Sequence, residues 1–276
     1  MVDMSEIYKN KKKALVRGSG DLATGVGIAL YRAGFQVIMT DIAVPLTVRR
    51  EVAMSRAVYE GRAKVEGIEG ILVRNYQEAL AVLEENKIAV IVDPKAEIRK
   101  EFHPDLLVDA ILAKKNLGTT KDMAPLTIGL GPGFCAGEDV DVVIETKRGH
   151  NLGRIIRQGS AYPNTGIPGI IGGYGAERVI HAPAAGRMKN RSKIGDIVEA
   201  GQVLAVIEGE DGSTEVSATI DGLLRGLIRD DYPVTKGFKI ADIDPRKEEL
   251  ANCFTISDKA RCIAGSVLEV ICEAVE

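Results

Sequence analysis

The chain has 276 residues, of which 45% are hydrophobic and 4% aromatic, with no Trp and a formal net charge of −3. That length and apolar content give one to three domains with real cores. The charge balance and scarcity of rings argue against a nucleic-acid platform or an anionic membrane surface as partner. No apolar run reaches the ~18 residues needed to cross a bilayer. The charged start, MVDMSEIYKNKKK, lacks the apolar stretch of a secretory leader. The four cysteines (Cys135, Cys253, Cys262 and Cys272) show no CxxC spacing. The expectation is a cytoplasmic protein without structural zinc, with neither nucleic acid nor membrane as partner.

In chain order, Lys13 to Arg17 reads as a short apolar strand entering a glycine turn, R-G-S-G-D-L-A-T-G. Leu22, Val26, Ala29, Leu30 and Ala33 then recur at helical spacing, Gly34 stops the helix, and Phe35 to Met39 forms a second strand ending near Asp41. A strand–turn–helix–strand unit of this size predicts parallel strands with a right-handed crossover. Gly70 to Val73, Ile88 to Val92, Leu106 to Ala110, Leu126 to Leu130 and Val140 to Ile144 are further strand candidates. Asn75 to Asn86 is an amphipathic helix, and a helix is expected near Val48 to Ser55. A glycine- and proline-rich stretch from Gly159 to Gly175 marks a boundary. An internal repeat follows, Val179 to Ile207 and Glu215 to Ile243, in which Gly186 matches Gly222, Val198 matches Val234 and Gly201 matches Gly237. Two such copies predict a small pseudo-symmetric β-domain. Ser257 is placed to cap a last helix carrying Ala260, Ile263, Ala264, Val267, Leu268 and Ile271 on its apolar side.

The fold class expected is α/β: a Rossmann-like, mostly parallel nucleotide-binding domain over residues 1–165, a small all-β domain over 176–245, and a helical segment over 246–276 that packs on the first domain. Three loops carry candidate chemistry. In Gly18-x-Gly20-x-x-Ala23 the first glycine makes the turn, the second admits a phosphate, and the small Ala23 lets helix and sheet approach. Asp41, about 20 residues on, is placed to bind a ribose diol. Asp21 sits at the mouth of the phosphate site, where a second negative charge is unwelcome, and Thr24 is a further contact. In I-G-L-G-P-G-F-C-A-G, Gly131 and Gly133 leave backbone open at a strand's carboxyl end beside Cys135, a thiol that is either activated there or inert. In I-E-T-K-R-G-H-N-L-G-R, Glu145, Arg148 and His150 follow a strand and line either a polar site or a solvated loop. The catalytic candidates are Cys135, Glu145 and His150, and no metal site is expected.

The repeat, H-A-P-A-A-G followed by G-D-I-V-E-A-G-Q-V-L-A-V-I, resembles a biotinyl/lipoyl-type barrel-sandwich hybrid. The hairpin between the copies, E-G-E-D-G-S-T-E, has no modifiable lysine, so the domain is expected to serve as a scaffold rather than a swinging arm. The chain as a whole resembles the accessory proteins of selenium-dependent molybdenum hydroxylases, the YqeB type. The residues that carry this are V-R-G-S-G-D-L-A-T-G-V, Y-R-A-G-F, V-R-R, Y-E-G, L-G-P-G-F, E-T-K-R-G-H-N-L-G-R, P-N-T-G-I-P-G, D-I-D-P-R and T-I-S-D-K-A. The middle part is distantly similar to the maturation chaperones of xanthine dehydrogenase. The resemblance implies a maturation factor that binds a molybdopterin dinucleotide or its precursor and works with a client molybdenum hydroxylase and other maturation factors. The residues alone leave open an NAD(P)-dependent oxidoreductase, a non-catalytic nucleotide-sensing module, and a homo-oligomer.

Overall fold

The computed structural model describes residues 12–164, 166, 169–210 and 212–273. The leader reading of residues 1–11 lies outside the described residues. So do Thr165, Ile167 and Pro168 of P-N-T-G-I-P-G, Asp211 of the hairpin between the repeats, and residues 274–276 of the tail. The chain divides into two compact units, one of residues 1–45, 53–164 and 256–276, the other of residues 46–52 and 165–255. Each is therefore discontinuous in sequence.

The first unit is built on one nine-stranded sheet. Its strands are β1 (Lys13–Arg17), β2 (Gln36–Asp41), β3 (Arg62–Val65), β4 (Ile68–Val73), β5 (Ile88–Val92), β6 (Leu106–Asp109), β7 (Leu126–Leu130), β8 (Val142–Ile144) and β9 (Ile155–Ile156), in the order β3-β4-β5-β2-β1-β6-β7-β8-β9. From β4 through β8 all neighbours are parallel. The apolar residues of β1, β2, β6 and β8 are buried on both faces, as covered parallel strands require. Helices α1 (Asp21–Arg32), α2 (Ala57–Glu60), α3 (Tyr76–Glu84), α4 (Arg99–Phe102) and α5 (Asp258–Glu273) complete the unit. Leu15, Ile38, Ala89 and Leu107 point to one face and form a core with Ala79, Leu83 and Phe102 from α3 and α4. Helix α5 packs on α1: a Cβ on Gly25 would stand 2.8 Å from the Ala260 Cβ. The hydroxyl of Ser257 accepts the Ala260 N–H at 3.2 Å, fixing where α5 starts.

The second unit contains two four-stranded antiparallel sheets around one core that includes Met188, Leu204, Leu224 and Ile243. The repeat is visible in it. Gly186 and Gly222 each lie against a carbonyl of the last long strand of their own copy, those of Glu208 and Asp244, where any side chain would collide. The two-residue strand of each copy crosses to the other's sheet, Ile197–Val198 pairing with the Gly222–Leu227 strand and Pro233–Val234 with the Gly186–Asn190 strand.

The structure corrects the expected fold class. The first unit's sheet is mixed rather than Rossmann-like, because antiparallel edge strands β3 and β9 flank the parallel interior. The β3–β4 hairpin turns on Glu66 and Gly67, both at positive φ (46° and 85°), the geometry of a two-residue turn matching strand twist. The second unit is not a barrel-sandwich hybrid: its two sheets remain separate, with no barrel closure. The helix expected near Val48 to Ser55 is also absent. Two 3-10 turns, Arg50–Val52 and Met54–Arg56, stand there instead, interrupted by extended Ala53 (φ −131°, ψ 131°).

A Gly25→Val substitution is expected to push α1 and α5 apart and lower stability by about 1–3 kcal/mol. Gly265 is exposed on α5 with no neighbour near its Cβ position, so Gly265→Ala is expected to raise stability by about 0.5–1 kcal/mol. Urea unfolding of both variants measures each effect.

Candidate functional site

Strand β1 lies between β2 and β6, so the chain leaves β1 toward one side of the sheet and later returns to its other side. Ligands of open α/β sheets bind outside the carboxyl ends of strands at such a switch point, and the turn Gly18–Ser19–Gly20 occupies it. Gly18 has φ +97°, and a Cβ there would stand 2.9 Å from the Ala110 carbonyl after β6, so only glycine fits. Gly20 is the N-cap of α1, and no side chain caps that helix start. The first-turn N–H groups of α1 have no intrahelical acceptor, and with the helix dipole they favour an anion. Ala23 is buried, as close helix–sheet packing requires.

Asp41 does something other than wait for a ribose. Its carboxylate accepts the Ser19 N–H at 3.0 Å, the Ser19 hydroxyl, and the Ile42 N–H at 2.8 Å. It therefore fastens the glycine turn to the end of β2. Burial raises its pKa, and the hydrogen bonds from Ser19 and Ile42 offset part of that rise. Thr24 is fully buried; its hydroxyl donates to the Ser19 carbonyl at 3.2 Å and accepts the Met54 N–H at 2.8 Å. It joins α1 to the 54–55 segment, whose Ser55 N–H also donates to the Ser19 carbonyl at 2.8 Å.

Beneath the turn lies a charged pair that sequence reading missed. Arg17 is 1% exposed. Its guanidinium meets the Asp109 carboxylate at 3.3 Å and donates to Thr119 Oγ1, to the Pro94 carbonyl at 2.9 Å and to the Leu117 carbonyl at 3.3 Å. Thr119 in turn donates to Asp109 at 2.6 Å. Burial raises the Asp109 pKa, while the Thr119 hydrogen bond and the Arg17 charge pull it back. The signal was an arginine closing an otherwise apolar buried strand.

The loop after β7 is explained by packing. Gly131, at φ +78°, faces Thr146; Gly133, at φ +113°, lies against the Lys115 backbone; and Phe134 folds over Gly129. Cys135 is half-buried, and its N–H donates to the Asp139 carboxylate at 2.8 Å in a local turn. The loop after β8 begins with buried Glu145, whose two oxygens accept the N–H groups of Lys147 at 2.7 Å and Tyr162 at 2.8 Å. Glu145 thus braces its loop. His150 is exposed. Arg148 forks onto Asp258, the first residue of α5, at 2.8 and 2.9 Å. That fork brings the start of α5 to the carboxyl edge of the sheet and with it Lys259, on which the charges of Arg148, Asp21, Glu145 and Asp258 act. Lys259 was not singled out in the sequence, though it lies in T-I-S-D-K-A.

No protein-family model matches the chain. It is similar to the uncharacterized protein YqeB of Escherichia coli (strain K12), 49% identical over 257 residues, which cover 93% of this chain and 47% of that protein. The chain thus spans about half the length of the curated relative it matches. Among solved structures, it overlaps a succinylglutamate desuccinylase/aspartoacylase from Rhodobacter sphaeroides (TM-score 0.29, 13% identity, 85% of each chain). An aspartoacylase family protein from Mesorhizobium loti gives a TM-score of 0.28 at 13% identity, again over 85% of each chain. The ectoine utilization protein EutE (DoeB) of Ruegeria pomeroyi, with product bound, gives 0.23 at 12% identity, over 84% of this chain and 52% of the other. Overlap at these scores transfers neither fold nor activity.

Replacing Arg17 by Met leaves Asp109 buried without its counter-charge and is expected to cost about 3–5 kcal/mol, most of which the double change Arg17→Met with Asp109→Leu regains; denaturant unfolding of the two variants checks this. Because burial holds the folded pKa of Asp41 above its unfolded value, its contribution to stability is full below the unfolded value and is lost as pH rises through the folded one. Asp41→Asn, which cannot ionise, is therefore expected to gain on the wild type as pH rises across that window. Urea midpoints measured at several pH values follow the difference.

Proposed function

We propose that this chain is an accessory factor in the maturation of a selenium-dependent molybdenum hydroxylase, binding an anionic, nucleotide-bearing ligand at the carboxyl edge of its nine-stranded sheet. The observation that carries the binding reading is the helix α1 start at the switch point, which no side chain caps. Two exposed aliphatic side chains beside the turn, Ile42 (40%) and Val92 (41%), lie at the ends of adjacent strands β2 and β5 and offer an apolar surface for a planar ring. A molybdopterin dinucleotide or its precursor carries both a phosphate and such rings. The α1 N–H groups would hold the phosphate, and Ile42 and Val92 would lie against a ring. The maturation role itself rests on the motif resemblance across the chain, from V-R-G-S-G-D-L-A-T-G-V to T-I-S-D-K-A.

An NAD(P)-dependent oxidoreductase is the weaker reading. The carboxylate that would grip a ribose, that of Asp41, already accepts three hydrogen bonds from its own fold.

Anaerobic purification followed by mass spectrometry of released small molecules, with molybdenum and selenium analysis, tests the proposal. A pterin or a nucleotide carrying molybdenum is expected, and Gly20→Val is expected to remove it without unfolding the protein. A nicotinamide dinucleotide in its place, or ligand retained by the Gly20→Val variant, would overturn the assignment.

A further inference from the structure

The large hydrophobic side chains that the first unit leaves exposed gather at one edge. Among its described residues, Ile42, Val44, Val92, Leu117 and Tyr162 are 40% to 54% exposed. Ile42 and Val44 follow β2, Val92 ends β5, and Leu117 stands in the loop after β6. Tyr162 is tied to the end of β8 through its N–H, which donates to Glu145 at 2.8 Å. The remaining one, Tyr59, reaches the same region through its hydroxyl, which donates to the Pro45 carbonyl at 3.1 Å.

The loops that carry these side chains form one continuous rim. A single nitrogen of Arg17 donates to the Pro94 carbonyl at 2.9 Å and to the Leu117 carbonyl at 3.3 Å, which sets the loops after β5 and β6 side by side. The Lys115 backbone lies against Gly133 after β7, Gly131 faces Thr146 after β8, and Glu145 accepts the N–H groups of Lys147 and Tyr162. The strands beneath run β5-β2-β1-β6-β7-β8 and span about 24 Å at ~4.8 Å between neighbours. That width suits the ~800 Å² each partner contributes to a protein–protein interface of standard size.

The charge along the rim is one-sided. Carboxylates beside it are held inside the fold: Asp41 by Ser19 and Ile42, Asp93 by the Ile98 N–H, Asp109 by Arg17 and Thr119, Asp258 by Arg148. Lys95, Lys114 and Lys115 are exposed and form no ion pair among the described residues, and Lys147 lies over the Tyr162 ring at 5.4 Å. The chain as a whole has a net charge of −3, so the excess of lysine is local.

We propose that the carboxyl edge of the sheet is the docking face for a partner protein whose matching surface is apolar at its centre and acidic around it. On the maturation reading given above, on which this rests, that partner is the client hydroxylase. A second copy of this chain is the poorer occupant, because a two-fold axis would set lysine against lysine. The glycine turn lies on the same rim, so a docked client covers it, and a ligand held there passes from one protein to the other out of bulk water.

A photo-reactive amino acid placed at Leu117 or Tyr162 of the full chain tests this. For comparison it is placed at Glu84, the last residue of α3, and at Ile197 in the second unit. Irradiation in cells that make the hydroxylase is followed by mass spectrometry of the cross-linked peptides. A hydroxylase peptide rich in acidic residues is expected from Leu117 and Tyr162, about tenfold or more above the yield from Glu84 and Ile197. The yield from Leu117 is expected to fall about tenfold when Lys95→Glu and Lys115→Glu are combined. Capture of the hydroxylase from Glu84 or Ile197 but not from the rim, capture of a second copy of this chain in its place, or a yield unchanged by charge reversal overturns the proposal and leaves the maturation reading intact. A hydroxylase captured from none of these positions overturns both.

Discussion

The carboxyl edge of the first unit is held by one buried guanidinium. Arg17 ends the central strand β1 and spreads its donors over Asp109 at the end of β6, Thr119 and Leu117 in the loop beyond, and Pro94 after β5. A charge placed there without partners would cost several kcal/mol. The loops must therefore adopt the arrangement that satisfies it, and that arrangement sets the backdrop for the glycine turn directly above. Geometry at the switch point follows from electrostatic necessity at the strand ends as much as from the glycines themselves.

The same economy governs the turn. Asp41 accepts from Ser19 and Ile42, and Thr24 and Ser19 together hold the 54–55 segment. Groups that look like ligand contacts in the sequence are spent on making the turn rigid. The first turn of α1 stays without a side-chain cap, and the apolar flank is formed by Ile42 and Val92. Rigidity around an uncapped helix start is what an anion site requires, because a preformed cradle pays no ordering cost when the ligand arrives.

The interior strands were legible because long β-branched and aliphatic runs such as Ile88 to Val92 have few alternatives. The α1 start and the repeat were legible for a related reason: Gly18, Gly186 and Gly222 stand where another chain segment leaves no room for a side chain. The edges were not legible. Strand β9 has two residues, and the β3–β4 turn uses Glu66 where Asn or Asp is the usual signal. Two separate sheets in place of a closed barrel reflect pairing between distant segments, which no local pattern encodes. In the site, the glycine turn was readable, but the roles of Arg17 and Ser19 depend on partners as far as 102 positions away in the chain, as Thr119 is from Arg17. Conversely, Glu145 and Thr24 are of the right chemical type, yet each makes two hydrogen bonds within the fold that spacing alone does not reveal.

The discontinuity of the first unit bears on the order in which the protein is made. Strands β1 to β9 leave the ribosome before any of residues 165–255, and α5 emerges only after them. Until then, Gly25 on α1 lacks the Ile256 and Ala260 side chains that pack against it. Translation thus imposes a delay between formation of the glycine turn and closure of the helix layer beside it, and a nascent chain halted within the second unit would present that turn without α5.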